Sequence, residues 1–158
     1  MIAVDSDLLV CAHRADVDLH TAARDALERL AGHPDGWAIP WPCAHEFLAV
    51  ASGPTFGRTS TPVEVAFDTL RTWLSHPRCQ AIGETPRHGA LLEGLCARAA
   101  LSGGSVNRAR IAAICLAHGV EELWTCDLEF SRFPDLRTRN PLIPSLQGPI
   151  ARRLTPPR

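Results

Sequence analysis

The sequence predicts an α/β fold in which a central, mostly parallel β-sheet is covered by helices on both faces. Short apolar runs typical of buried strands alternate along the chain with segments whose apolar residues recur at helical spacing. The chain has 158 residues, of which 46% are hydrophobic, enough for one domain with a substantial core. Carboxylates follow two of the apolar runs, which is where functional sites form in parallel sheets.

The first half of the chain contains two predicted strands and two predicted helices. Residues 1–4 form a short apolar run that favours a strand, and one or two helical turns follow it. Residues 19–30 have the spacing of an amphipathic helix. Residues 37–39 favour a second strand, and a proline in the first turn is compatible with a helix over residues 41–53. Residues 52–62 are rich in Gly, Pro, Ser and Thr and predict a loop long enough to cover a site.

The second half continues the alternation of helices and strands. The predicted elements are a helix over 62–75, a strand over 79–82, helices over 88–100 and 106–117, and strands over 123–125 and 137–139. Ser105 is expected to cap the helix over 106–117, which is apolar on nearly all sides and therefore expected in the core. The domain is predicted to span residues 1–142. Residues 143–158 form a Pro- and Arg-rich tail that is expected to be poorly ordered.

Composition and charge exclude several classes of function. All sixteen basic residues are arginine, so the P-loop and every reaction that uses a lysine are excluded. The net charge of −1 gives no support to a bulk nucleic-acid binder. The charge is uneven, since residues 132–158 carry six arginines and one acid. This basic end is compatible with contacts to RNA phosphates around an acidic centre, and equally with a solvated edge and tail.

The cysteines and the hydropathy indicate a cytoplasmic protein with no membrane segment. Six cysteines occur without a Cys-x-x-Cys motif, so reduced, partly buried thiols are expected. No apolar stretch approaches the roughly 18–20 residues of a membrane span, and no targeting segment is expected. The seven histidines lack the spacing of a zinc site.

Carboxylates cluster at predicted strand ends and beside an apolar helix. Asp5, Asp7, Glu46 and Asp127 adjoin buried elements, and oxygen ligands of this kind favour Mg²⁺ or Mn²⁺. Each residue also has a simpler explanation. Asp5 or Asp7 is compatible with a helix N-cap, Glu46 with a boundary position and Asp127 with a turn.

Three segments together carry a resemblance to a known family. IAVDSDLLV at residues 2–10, WAIPWPCAHEFL at 37–48 and LWTCDLEFSRFPDLRTRNPL at 123–142 resemble the successive motifs of PIN-domain proteins, specifically VapC-type toxins of type II toxin–antitoxin systems. The resemblance implies a PIN-like three-layer α/β/α fold and a Mg²⁺-dependent endoribonuclease that cleaves structured RNA, such as tRNA or rRNA, through metal-activated water. It also implies neutralisation by a cognate antitoxin protein and assembly as a homodimer.

The resemblance assigns roles to individual residues. It implies that Asp5, Glu46 and Asp127 are the catalytic, metal-binding acids. Ser6 and Thr125 match hydroxyl residues that flank the site in the family. No residues for any other cofactor are implied.

Arg108 is the departure from the family pattern. The family usually has an aspartate there, in the first turn of the helix, where a cation also opposes the helix dipole. Three interpretations remain open. The site is a weakened one-metal site in which Asp7 or Glu129 restores negative charge; or the guanidinium binds phosphate, so that an inactive protein still binds RNA or an antitoxin; or the arginine is a recent mutation in an ordinary toxin.

Two other features have competing explanations. The Asp5-Ser6-Asp7 segment also resembles the Asp-x-Asp loop of haloacid-dehalogenase-like phosphatases, but those enzymes normally need a lysine that this chain lacks. Trp41 stands between two prolines and is expected near the surface. There it is suited to stacking on a base or a partner side chain, or to packing against the neighbouring loop.

Overall fold

A five-stranded parallel sheet forms the centre of the protein. The computed structural model describes residues 1–54 and 60–143. Its strands are β1 (Ile2–Val4), β2 (Trp37–Pro40), β3 (Cys79–Ile82), β4 (Glu122–Trp124) and β5 (Thr138–Arg139). They are ordered β3-β2-β1-β4-β5, and every adjacent pair is parallel. Residues 55–59 of the predicted loop over 52–62, and the predicted tail over 143–158 beyond its first residue, lie outside the described residues.

Six α-helices and one short 3-10 helix connect the strands. They are α1 (Ser6–His13), α2 (His20–Ala31), α3 (Trp41–Ser52), α4 (Val63–Leu74), α5 (His88–Arg98), α6 (Ser105–Ala117) and the 3-10 helix Leu128–Arg132. Each predicted helix is present within a few residues of its expected bounds. No helix in the described parts of the chain is both long and apolar enough to cross a membrane.

Side-chain alternation along the strands divides the core between the two faces of the sheet. Val4 and Ile39 belong to one buried cluster, which α1 to α4 complete with residues such as Phe47. Ala3 and Ala38 belong to a second cluster, which is built largely by α6. Successive strand residues point to opposite faces, so both faces are buried. The predicted three-layer arrangement is confirmed.

Two helix boundaries differ from the sequence prediction. Ser105 is not the cap of α6 but its first residue, and Gly104 occupies the N-cap position without a side-chain bond. The reason is that Gly104 already has right-handed helical angles, after a turn at Gly103 with φ +58°. Similarly, α5 ends at Arg98 because the chain turns left-handed at Ala100, where φ is +47°.

The strand order positions a site beside β1. From β1 the chain adds β2 and β3 on one side, and then β4 and β5 on the other. The carboxyl ends of β1 and β4 therefore lie at the point where the strand order reverses, where ligands bind in open α/β sheets. The amide of Asp5, directly after β1, donates to the carbonyl of Trp124 at the end of β4 over 3.0 Å, which ties the two ends together.

Candidate active site

Asp5 is the most buried acid at the end of β1, with 4% of its surface exposed. Its Oδ1 accepts from the amide of Ser6 at 2.8 Å, and its Oδ2 accepts from the hydroxyl of Thr125 at 2.7 Å. Burial raises the pKa of Asp5, while these two hydrogen bonds oppose the rise. Asp5 is the N-cap residue of α1, so the capping explanation of this residue is correct. The capping role leaves the carboxylate in the wall of a cavity.

Glu46 is joined to Asp5 through the hydroxyl of Ser6. The Ser6 Oγ donates to Glu46 Oε2 at 2.8 Å and lies 3.4 Å from Asp5 Oδ1. The fully buried ring of Phe47 anchors α3 in the core, and Glu46, one position earlier in the helix, is exposed. The negative charge of Glu46 adds to the rise in the pKa of Asp5. Two carboxylates from different elements are thus held beside one hydroxyl.

Asp127 caps the 3-10 helix that follows β4. Its Oδ1 accepts from the amide of Glu129 at 2.9 Å, and its own amide donates to Thr125 Oγ1 at 3.0 Å. The turn explanation of Asp127 is therefore also correct. The hydroxyl of Thr125, which donates to Asp5 and accepts from Asp127, fixes the ends of β1 and β4 relative to each other.

These acids share one cavity of about 230 Å³. Its lining residues are Asp5, Ser6, Asp7, Glu46, Gly104, Asn107, Arg108, Ile111, Asp127 and Phe130. The structure therefore brings together every predicted site residue except Thr125, which is buried and bonded to Asp5. Sequence reasoning missed Asn107 and Ile111 as lining residues. Their spacing of four residues, which places them on one face of a helix, was the available signal.

Arg108 enters this cavity as an internal cation. Its Nε donates to Asp127 Oδ2 at 2.5 Å, and the side chains of Arg108 and Asp127 are 37% and 29% exposed. The hydrogen bond that Arg108 donates to Asp127 raises the pKa of Arg108 further above its ordinary value. One oxygen of Asp127 is therefore held by a guanidinium, while the other is held by a backbone amide.

The two acids expected to compensate for Arg108 have different positions. Asp7 lies in the cavity wall, where its oxygens accept from the amides of Leu8 and Cys126, both at 2.6 Å. Burial, together with the charge of Asp5, raises the pKa of Asp7 to about 6. Glu129 does not line the cavity and lies 3.5 Å from Arg132 instead. Asp7 therefore adds negative charge from within the cavity, whereas the charge of Glu129 acts on Arg108 from outside its lining.

The acids are not preassembled as a coordination site. Within residues 1–54 and 60–143, no three His, Cys, Asp or Glu side chains are grouped so as to hold a metal ion. Ser6 links Asp5 to Glu46, whereas Asp127 is paired with Arg108. The donor set beside Ser6 consists of carboxylate and hydroxyl oxygens only, a chemistry that fits a hard divalent cation.

The basic end of the chain is partly engaged with the body of the protein. Arg132 donates to the carbonyl of Ala99 at 2.9 Å, and Arg137 lies 3.8 Å from Glu122. The guanidinium of Arg139 stands over the ring of Trp124 at 5.6 Å. The three other arginines of this basic end, at positions 152, 153 and 158, lie outside the described residues.

Sequence comparison places the chain among known proteins. Ribonuclease VapC43 of Mycobacterium tuberculosis is 30% identical over 142 residues, which cover 90% of this chain and 96% of the relative. The chain belongs to the VapC family. No protein-family model matches it.

Solved VapC structures share the fold. A VapBC2 complex of Rickettsia felis, bound to a DNA fragment from its promoter, has a TM-score of 0.64 at 22% identity and covers 88% of this chain and 98% of its own. VapC20 of Mycobacterium tuberculosis, a toxin that cleaves the sarcin-ricin loop, has a TM-score of 0.63 at 17% identity and covers 83% and 93%. The resemblance to VapC-type PIN-domain proteins is therefore confirmed. In this VapC chain, Arg108 lines the acidic cavity and pairs with Asp127.

Proposed function

We propose that this chain is an endoribonuclease toxin that hydrolyses a phosphodiester bond of structured RNA, such as tRNA or rRNA, in the acidic cavity. The observation that carries the proposal is the meeting of Asp5, Glu46 and Asp127 in one cavity at the ends of β1 and β4. Membership of a family of named ribonucleases supports the reaction, and a fold neighbour that cleaves the sarcin-ricin loop supports RNA as the substrate.

Asp5 and Glu46 are the residues that would hold a Mg²⁺ or Mn²⁺ ion, with Ser6 between them. A bound divalent cation supplies a polarised phosphate and a water of lowered pKa. Burial disfavours the charge on Asp5, and so does the neighbouring Glu46. A bound cation would therefore stabilise the ionised carboxylates of Asp5 and Glu46. The hydroxyl of Thr125 fixes the orientation of the Asp5 carboxylate, and Asp127 lines the same cavity.

Cleavage of defined RNA by the purified protein tests this proposal. Wild type is expected to cut total RNA or a tRNA transcript with added Mg²⁺ or Mn²⁺, and to lose this activity with EDTA. Asp5→Asn is the matched inactive variant, since asparagine preserves the helix cap but removes the negative charge. Cleavage that persists in Asp5→Asn would overturn the site assignment.

The ion pair of Arg108 with Asp127 favours a second candidate function. An arginine that holds Asp127 at 2.5 Å occupies one oxygen that a cation would otherwise use, and guanidinium binds phosphate well. The second candidate is therefore a catalytically weakened protein that binds RNA or an antitoxin without cutting RNA. Absence of cleavage by wild type, with cleavage restored in Arg108→Asp, would support it.

An antitoxin is the protein partner that we propose. The fold neighbours include a VapBC2 assembly and a toxin–antitoxin complex from Klebsiella pneumoniae. Because the cavity is lined by several acids, an antitoxin that covers it is expected to do so with a basic side chain. We further propose a homodimer in the cytoplasm, where free thiols such as the six of this chain persist. Light scattering, with and without a co-expressed antitoxin, measures both assemblies.

A further inference from the structure

A second cavity adjoins the acidic one and has a different chemistry. It has a volume of about 290 Å³ and is lined by Pro42, His45, Glu46, Asn107, Arg110 and Ile111. Glu46, Asn107 and Ile111 line both cavities, so the two spaces share one wall. Its volume lies near the lower end of the roughly 300–1,000 Å³ that small-molecule sites occupy. The space therefore suits one small planar group better than a long segment.

A pair of aromatic rings lies beside this second cavity, and His45 of that pair lines it. The rings of Trp41 and His45 are stacked, with centroids 5.7 Å apart and an interplanar angle of 29°. Trp41 is 42% exposed, and its indole lies near Gly83, where an added Cβ would be 3.4 Å from the indole Cδ1. An exposed pair of stacked rings beside a cavity is a surface on which another aromatic ring can stack.

Polar groups on α6 form the other side. Asn107 offers both a donor and an acceptor. The Nε of Arg110 donates to Glu84 Oε1 at 2.8 Å, which fixes the guanidinium at the cavity while the Arg110 side chain stays 42% exposed. Arginine held in this way presents a planar fork to phosphate or to a base edge. Asn107, Arg110 and Ile111 share one face of α6, because they are three and four residues apart.

We propose that this second cavity binds the base and ribose of the nucleotide next to the scissile phosphate. The base would stack on the ring pair of His45 and Trp41, and Arg110 and Asn107 would bind its polar edge or its phosphate. The shared wall then connects the bound nucleotide to the acidic cavity. Single-stranded RNA is recognised by such combinations of stacking and hydrogen bonding to unpaired bases. The inference rests on the proposed function, since it assigns a subsite to the same RNA.

Binding of 5′-mononucleotides to the Asp5→Asn variant tests this subsite without cleavage. Calorimetry gives the affinity for AMP, GMP, CMP and UMP, and tryptophan fluorescence reports stacking at Trp41. His45→Ala and Trp41→Ala are expected to weaken binding about 5- to 150-fold, the range for loss of one base–aromatic stack. His45→Phe and Trp41→Phe keep a ring and are expected to retain most of the affinity.

A matched arginine control separates local from general charge effects. Arg110→Ala is expected to weaken binding at least fivefold, whereas Arg24→Ala, which removes an equal charge from an exposed pair with Glu28 on α2, is expected to leave it unchanged. Melting temperatures identify any variant that fails to fold. Equal nucleotide affinity in wild type, His45→Ala and Trp41→Ala would overturn the inference, even if the enzyme cleaves RNA. Ring-dependent nucleotide binding without RNA cleavage would support the inference and refute the proposed activity instead.

Discussion

Replacement of Arg108 by aspartate is expected to increase the affinity of the acidic cavity for Mn²⁺ and Mg²⁺. The arginine holds Asp127 Oδ2 at 2.5 Å and places a positive charge among the four carboxylates of the cavity. Arg108→Ala removes that charge, and Arg108→Asp replaces it with a negative one. Because the guanidinium cannot lose its proton in the accessible pH range, pH change alone does not relieve the competition.

The structure sets the size of the effect. Two unit charges about 4 Å apart interact by about 1 kcal/mol in water and by about 4 kcal/mol at an effective dielectric constant of 20. The side chains of Arg108 and Asp127 are 37% and 29% exposed, so solvent screens their charges and the lower value applies. Because the bound cation carries two charges, a change of one charge unit then corresponds to about 2 kcal/mol, or about 30-fold tighter cation binding, and a change of two units to about 1000-fold.

Calorimetry with Mn²⁺ and thermal unfolding with and without Mg²⁺ measure this effect. Without metal, Arg108→Asp is expected to melt about 2–4 °C below wild type, since it places like charges side by side at a cost of about 1 kcal/mol. With saturating Mg²⁺ the order is expected to reverse, because bound cation stabilises the folded state. Arg24→Ala serves as the control for loss of a distant arginine. Equal Mn²⁺ affinities, with no reversal of melting order, would refute the reasoning.

Three further substitutions test the supporting structure. Thr125→Val removes the hydroxyl that donates to Asp5 at 2.7 Å and is expected to lower the free energy of unfolding, measured by urea titration, by about 1–3 kcal/mol. Thr125→Ser keeps the hydroxyl and should lose clearly less stability, and equal losses in the two variants would count against a role of the hydroxyl. Gly36→Ala is expected to lower the free energy of unfolding by about 2 kcal/mol or more, because φ at Gly36 is +71° and the new Cβ would lie 2.9 Å from the carbonyl oxygen of Arg78. A loss below about 0.5 kcal/mol would be inconsistent with this geometry. Burial lowers the pKa of His13, so its contribution to stability is complete above the unfolded pKa of about 6.5 and is lost as the pH falls through the folded pKa. The free energy of unfolding should therefore fall less between pH 8 and pH 5 for His13→Gln than for wild type, and equal falls in the two proteins would contradict this.

The positions of Asp5 and Asp127 could be predicted because they follow from strand ends. Short apolar runs mark the strands, and parallel strands bring their carboxyl ends to one edge of the sheet. The strand-end argument does not extend to Glu46, which lies beside an apolar helix. The family resemblance favours it over a boundary position, since nothing local separates an acid in a site from an acid at a helix boundary. Its place in the cavity depends on how α3 packs through Phe47.

The pairing of Arg108 with Asp127 could not be predicted from the pattern. The two residues are nineteen positions apart on different elements, and their distance depends on how α6 packs against the sheet. The Glu129 carboxylate does not line the cavity, although its negative charge adds to the rise in the pKa of Arg108. Asp127 caps the 3-10 helix through the Glu129 amide, and the Glu129 carboxylate points instead toward Arg132.

The charge balance of the cavity explains why a single residue can decide between cleavage and binding. Asp5 and Asp7 both have raised pKa values because burial and neighbouring negative charge disfavour their ionised forms. A divalent cation would relieve that repulsion while exchanging with solvent and accepting further oxygen ligands. Arg108 stays protonated and so balances the negative charge of Asp127 at all accessible pH values. Unlike a metal ion, it cannot coordinate a water molecule. The arginine therefore stabilises the folded site and also reduces its demand for metal, so metal-dependent stability distinguishes the two candidate functions even if no RNA is cut.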